Sequence, residues 1–211
     1  MDSIIVIEWL FSILILIVFT NRYIFGSALR LSDNRTLPSH DRSPEAWPSV
    51  TIIVPVYNEG RDVIKNAESI LKLDYPKSLL SIVFIDDCST DDTFEHLCEA
   101  QKASPSIRLA RNPRNMGKRL GIKRIVLETD TDLILSIDSD VIVESDALKN
   151  LVRHMHTTNA DGVGGCVFVS NANQTWLTRM QAVKYWVGYQ FLKNLENSFS
   201  SVMCLSLSLI H

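Results

Sequence analysis

The sequence contains no C-x-x-C pair, although it has four cysteines, Cys88, Cys98, Cys166 and Cys204. Zinc-ribbon and thioredoxin-type chemistry are therefore excluded. Four thiols in 211 residues are too sparse for a disulfide-stapled secreted scaffold, so they read as reduced and mostly buried. Glycine (8) and proline (7) are scarce, which excludes a fibrous or low-complexity chain. No long basic run occurs, and 21 basic against 24 acidic side chains leave a formal net charge of −3, so no nucleic-acid partner is expected. There is no G-x-x-x-x-G-K-[ST] loop, which excludes a P-loop, and no G-x-G-x-x-G after the first expected strand, which disfavours a dinucleotide site. His154 and His156 lie two apart on an expected helix, where side chains do not face one another, so they form no metal pair.

Long apolar runs are present at one place. Residues 4–25 (IIVIEWLFSILILIVFTNRYIF) number about 22, enough at about 1.5 Å rise each to cross a hydrocarbon core of roughly 30 Å. Glu8 sits near one end, within reach of the headgroup region. Trp9 and Tyr23 suit the two interfacial belts. No basic segment precedes the run and no A-x-A-like site follows it, so a retained anchor over residues 1–25 is expected rather than a cleaved signal. Arg22, Arg30 and Arg35 lie at or beyond the end of the run, whereas Asp2 precedes it. The positive-inside rule then places the N-terminus outside and the rest of the chain in the cytosol. A length of 211 residues leaves room for this helix and one soluble domain.

Residues 26–49 are polar, with Pro38, Pro44 and Pro48, and read as a linker or interfacial collar. From Val50 onward short apolar runs alternate with amphipathic stretches. Val50–Val56 (VTIIVPV) is β-branched and apolar on both faces, as a buried parallel strand requires. Further strands are expected at residues 80–85, 107–110, 133–137 and 162–170. Helices are expected from residue 58 or 59 to 71, over 91–102 (capped by Ser89 or Thr90), over 117–127, after Ser145 as cap, and over 174–195. This alternation predicts an α/β fold, an open, mainly parallel sheet with helices on both faces. In such sheets ligands bind beyond the carboxyl ends of the strands.

Those ends carry acids. The first strand runs into Tyr57-Asn58-Glu59-Gly60, the second into Asp86-Asp87, and the 133–137 strand into Asp138-Ser139-Asp140. Crowded carboxylates repel unless a cation or hydrogen-bond donors offset them. Two carboxylates two residues apart after a rigid strand can both reach one hard cation, and Mg²⁺ or Mn²⁺ takes oxygen ligands while keeping substrate phosphates among them. Asp86 and Asp87 are turn formers or acceptors for a nucleobase N–H or a sugar hydroxyl. The basic cluster NPRNMGKR brings Gly117 and Lys118 to a helix start, suited to an anion. Together these residues describe a site for a nucleoside-diphosphate donor.

At these residues the chain resembles a known family. VPVYNEG, VFIDDCSTDDT, RNMGKR and SIDSDVIVESDAL, in that order, are similar to the motifs of the inverting family 2 glycosyltransferases. The 162–169 stretch, with Trp176 and Lys184-Tyr185-Trp186, resembles membrane-bound synthases of hyaluronan, chitin and nodulation-type chitooligosaccharide. The resemblance covers residues 50–203. It implies a GT-A fold, a hexosyltransferase activity and a UDP-sugar donor, UDP-N-acetylglucosamine first. A growing polysaccharide would be the acceptor, and the lipid bilayer the surroundings. It implies that Asp86 and Asp87 contact the uridine, that Tyr57 and Glu59 line that pocket, and that Lys118 faces the diphosphate. Asp138 would contact the donor and, with Asp140, hold the metal. The family continues with an acidic acceptor-side motif that carries the general base, which has no counterpart in residues 205–211. Residues 50–204 are accordingly expected to form an incomplete donor-binding domain and 205–211 a tail. The alternative expectation is a non-catalytic nucleotide-sugar-binding remnant or a partner of a full-length synthase.

Overall fold

The segment Val50–Val56 is buried along nearly its whole length, as a strand sealed on both faces must be. The computed structural model describes residues 2–20, 44–193 and 208–210. The chain divides into two units, residues 38–167 with 204–211 and residues 1–37 with 168–203.

The first unit is built on a six-stranded sheet. Its strands are β1 (Val50–Val56), β2 (Leu80–Asp86), β3 (Ile107–Arg111), β4 (Leu133–Ser136), β5 (Gly162–Gly164) and β6 (Ser208–Ile210). They stand in the order β3-β2-β1-β4-β6-β5. The contacts of β1 with β2 and β4, and of β2 with β3, are parallel. The α/β expectation therefore holds, but the sheet is mixed at one edge. There β6, expected from the sequence to be tail, runs antiparallel between β4 and β5. Its short apolar run pairs along both sides, which a chain-order reading of neighbours cannot anticipate. The expected 162–170 strand is also shorter, since only Gly162–Gly164 pair.

Alternation along the strands splits the core in two. Ile52, Val54 and Val56 face one side, with Val63, Ala67 and Ile70 of α2 (Asp62–Leu71), Leu97 of α3 (Thr93–Ala103), and Leu148, Leu151 and Met155 of α5 (Ala147–Thr158). Ile53, Val83 and Ile85 face the other, against Ile125 of α4 (Lys118–Glu128). Helices thus cover both faces.

Two expected caps move. Asp92 stands at the N-terminal end of α3 without a side-chain cap, and the carboxylate of Asp91 just before it accepts the Thr93 amide at 3.1 Å. Ser89 and Thr90 instead bond the chain leaving β1. Asp146 rather than Ser145 precedes α5, and the Ser145 carbonyl accepts the Asp74 amide at 2.7 Å. Ahead of β1, Trp47 packs edge-on against Tyr75 at 5.5 Å. The Tyr75 hydroxyl donates to the Pro48 carbonyl at 2.7 Å, and burial, followed by the nearby Asp132 charge, pushes that phenol up to about 12.

In the other unit, α1 is Asp2–Thr20, and its apolar side chains from Trp9 to Val18 are exposed where they are described. Over the described residues no helix is long and apolar enough to cross a membrane. Arg22, Tyr23, Arg30 and Arg35, and the linker up to residue 43, lie outside the described residues. Helix α6 (Trp176–Trp186) opens on a capping box between Thr175 and Thr178 and passes into a π-helical segment, Val187–Lys193. The expected helix ran to 195, and residues 194–207 lie outside the described residues.

Candidate functional site: an acidic cleft at the strand ends

Parallel register makes the strands end together. Val56 of β1 stands beside Asp86 of β2, and Ile53 beside Ser136 of β4. The Asp87 amide donates to the Val56 carbonyl at 2.9 Å and the Ile137 amide to the Ile53 carbonyl at 3.0 Å, which carries the pairing past each strand end. The residues just beyond surround a cleft of about 290 Å³. Tyr57, Glu59, Asp87, Lys118, Asp138, Ser139 and Asp140 line it. Every expected site residue is there except Asp86.

The loop after β1 is tied to the loop after β2. Asn58, at φ +54°, accepts the Thr90 amide on its side chain and gives its own amide to the Ser89 hydroxyl. The Thr93 hydroxyl accepts the amides of both Glu59 and Gly60, at 2.9 and 2.8 Å. Cys88 adopts φ +63°, a left-handed conformation that costs a non-glycine residue about 1–2 kcal/mol. These bonds aim Glu59 across the cleft, where its Oε1 accepts the Ser139 hydroxyl at 2.8 Å. The buried Asn66 of α2 donates to the carbonyls of Asp138 and Val141, at 3.1 and 2.6 Å, and so holds the turn from beneath. Asn66 carries no sequence signal beyond its helical position.

Charge is distributed unevenly. Lys118, at the start of α4, donates to the Asp138 carboxylate. The Asp140 carboxylate is exposed and has no hydrogen bond or ion pair among the described residues. Asp87 is buried and takes three donors: Asn112 Nδ2 at 2.7 Å, the Met116 amide at 2.9 Å and the Gly117 amide at 2.7 Å. Asp86 is only 1% exposed, and its carboxylate meets Arg111 Nε at 2.9 Å and the Ser89 amide at 3.1 Å. Asp86, the last residue of β2, is thus turned to Arg111, while Asp87, one residue beyond the strand, is turned to the cleft. Arg111 in turn lies 4.2 Å over the Phe94 ring.

Burial raises the Asp87 carboxyl, but the hydrogen bonds from Asn112, Met116 and Gly117 outweigh it, and the net shift is downward from 3.8. A depressed carboxylate contributes stability that is present above its unfolded value and lost as pH falls through the lower folded value. The melting temperature is therefore expected to fall below about pH 4, and Asp87→Asn to remove part of that dependence. A melting series with equal acid slopes in both proteins would contradict this.

Among the described residues no group of three or more His, Cys, Asp or Glu could hold a metal. Asp138 and Asp140 can contribute two carboxylates to a hard cation whose other ligands come from substrate phosphate and water, which matches how Mg²⁺ and Mn²⁺ are bound. The residues present thus fit a metal that arrives with a phosphorylated donor.

A largely parallel α/β sheet with an acidic, lysine-bearing cleft at its strand ends defines a GT-A-type domain. The chain belongs to glycosyl transferase family 2, whose family model matches residues 51–208. It is 33% identical over 159 residues to an N-acetylglucosaminyltransferase of Azorhizobium caulinodans, covering 74% of this chain and 40% of that protein. It is 30% identical over 162 residues to an N-acetylglucosaminyltransferase of Bradyrhizobium elkanii, covering 74% of this chain and 89% of that one. The chain spans 36–40% of the length of the first curated relatives it matches. In structure it is similar to the mannosyltransferase PcManGT from Pyrobaculum calidifontis in complex with GDP-Man and Mn²⁺, with TM-score 0.64 and 23% identity over 71% of this chain and 44% of that one. It is also similar to S. aureus TarS 1-349 in complex with UDP-GlcNAc, with TM-score 0.50 and 24% identity over 58% and 36%. At these identities the likenesses establish the fold.

Proposed function

We propose that the domain is the donor-binding part of a membrane-bound, inverting hexosyltransferase. It takes UDP-N-acetylglucosamine and extends a β-linked polysaccharide of the hyaluronan or chitin kind. The observation that carries this reading is the meeting of Asp138, Asp140 and Lys118 in one cleft bordered by Tyr57, Glu59 and Asp87. Relatives named N-acetylglucosaminyltransferase over about three-quarters of the chain support the sugar. The apolar, exposed side chains of α1 support a membrane anchor, and the sequence positions of Arg22, Arg30 and Arg35 at or beyond its end support an N-terminus outside and a domain in the cytosol.

In this mechanism Lys118 holds the diphosphate, and its ion pair with Asp138 keeps the ammonium within the cleft until the donor arrives. A Mg²⁺ or Mn²⁺ ion held by Asp140 and Asp138 would neutralise charge on the departing UDP. Glu59 and Asn66 keep the Asp138–Asp140 turn in place through the Ser139 hydroxyl and the Asp138 carbonyl. Tyr57, half exposed on the cleft wall, offers a ring face and a hydroxyl to the nucleoside. Asp86 acts on that side through Arg111, which it anchors.

Titration calorimetry of the chain with UDP in Mn²⁺ is the test. Binding with a Kd between about 1 µM and 1 mM is expected, and the heat should vanish when EDTA replaces the metal. No heat at millimolar UDP with Mn²⁺ present would falsify the donor-site reading.

A further inference from the structure

We propose that Asn112 and Arg124 are positioning residues that act through Asp87 to set the backbone at the start of α4, and thereby the place of Lys118 in the cleft. The consequence for ligand binding rests on the donor-site reading above.

Asn112 follows the last residue of β3, and its amide donates to the Asp86 carbonyl at 2.8 Å, so its backbone is an extension of the sheet. The residue is 2% exposed and its side chain is bonded at both ends. Nδ2 donates to Asp87 Oδ1 at 2.7 Å, and Oδ1 accepts Arg124 Nη1 at 2.9 Å. Arginine offers donors alone, so it fixes the amide oxygen on its own side and turns the NH₂ toward Asp87. Asp87 then collects the Met116 and Gly117 amides, which are the last two before the helix.

The relay is a closed loop. Arg124 lies on α4 itself, so the helix body holds Asn112, Asn112 holds Asp87, and Asp87 holds the turn that starts the same helix. Gly117 makes that turn at φ +81°, a conformation open to glycine, and Lys118 is the next residue. Gly121 lets the helix pass close by. A Cβ at that position would lie 3.3 Å from Ile85 Cγ2 and 3.5 Å from Asn112 Nδ2. Alanine at 112 leaves Asp87 without its side-chain donor. Aspartate there keeps the size and the Arg124 contact but faces Asp87 with no proton to give.

A double-mutant cycle on the full chain separates positioning from mere structural support. Asn112→Ala and Asn112→Asp are each expected to weaken Mn²⁺-UDP binding about 10-fold when Lys118 is present, the scale of a lost charge-assisted hydrogen bond. In the Lys118→Ala background the same changes should cost less than about twofold. Equal losses in both backgrounds overturn the proposal. A second readout needs no nucleotide. By hydrogen exchange the Met116 and Gly117 amides should be protected in the wild type. They should lose about 10-fold protection in Asn112→Asp and in Arg124→Leu, while Val50–Val56 stays unchanged and certifies the fold. Unprotected wild-type amides, or protection indifferent to both variants, also overturn it. A wild type that binds no UDP sinks the donor-site reading, and the exchange data alone then decide the relay.

Discussion

Asp140→Ala is expected to weaken Mn²⁺-dependent UDP binding by about 100-fold or more. Changes to groups that merely orient a metal's ligands cost about 10–100-fold, so deleting a ligand should lie at or beyond that upper figure. The position isolates the effect. Asp140 is exposed and has no hydrogen bond or ion pair among the described residues, so its removal orphans no partner among them. Asp138 would not give as clean a result, because its loss also releases Lys118. Melting temperature should therefore stay within the small range of surface substitutions while the metal-dependent part of the binding heat disappears. Retention of that heat in Asp140→Ala would move the cation away from this turn, whatever the fate of UDP itself.

Phe84→Ala is expected to destabilise the domain by about 3–5 kcal/mol, the usual cost of truncating a buried phenylalanine. Phe84 is 0% exposed and sits in the middle of β2, beside Val54 of β1 and Leu109 of β3. It packs in the larger of the two cores with Ile52, Ile70 and Leu97. A loss of that size removes a large share of a typical stability of about 5–15 kcal/mol. The same strand ends in the Asp86-Asp87 pair, so the cleft depends on it mechanically. Urea unfolding should show a lower midpoint with an unchanged slope, and a shift worth under about 1 kcal/mol would contradict this placement of the core.

Much of the fold was legible because burial on both faces leaves a plain mark. Val50–Val56 shows no polar alternation, which a strand sealed between two helical layers requires. The carboxyl-end rule then pointed to the acids after β1, β2 and β4, and the basic cluster to Lys118; the structure brings Glu59, Asp87, Asp138, Asp140 and Lys118 to one cleft and leaves Asp86 out of it. Position of side chains within that rim was less legible. Asp86 and Asp87 are adjacent letters of similar chemistry, and the end of β2 between them leaves one paired with Arg111 and the other in the cleft. Asn66 and Thr93 carry no local signal, because each acts through hydrogen bonds to backbone far away in sequence. The strand Ser208–Ile210 is not legible in the sequence, because three residues carry no period.

The sequence by itself determined the alternation of strands and helices, the acidic character of the strand ends and the lysine that opposes it. All of these follow from local composition, periodicity and short motifs. Tertiary structure alone decided which carboxylate meets which donor. The Asp138 pairing with Lys118, the Arg124–Asn112–Asp87 relay and the insertion of β6 between β4 and β5 join residues at least 12 positions apart. Such contacts are set by sheet register and helix packing, and no local pattern encodes them.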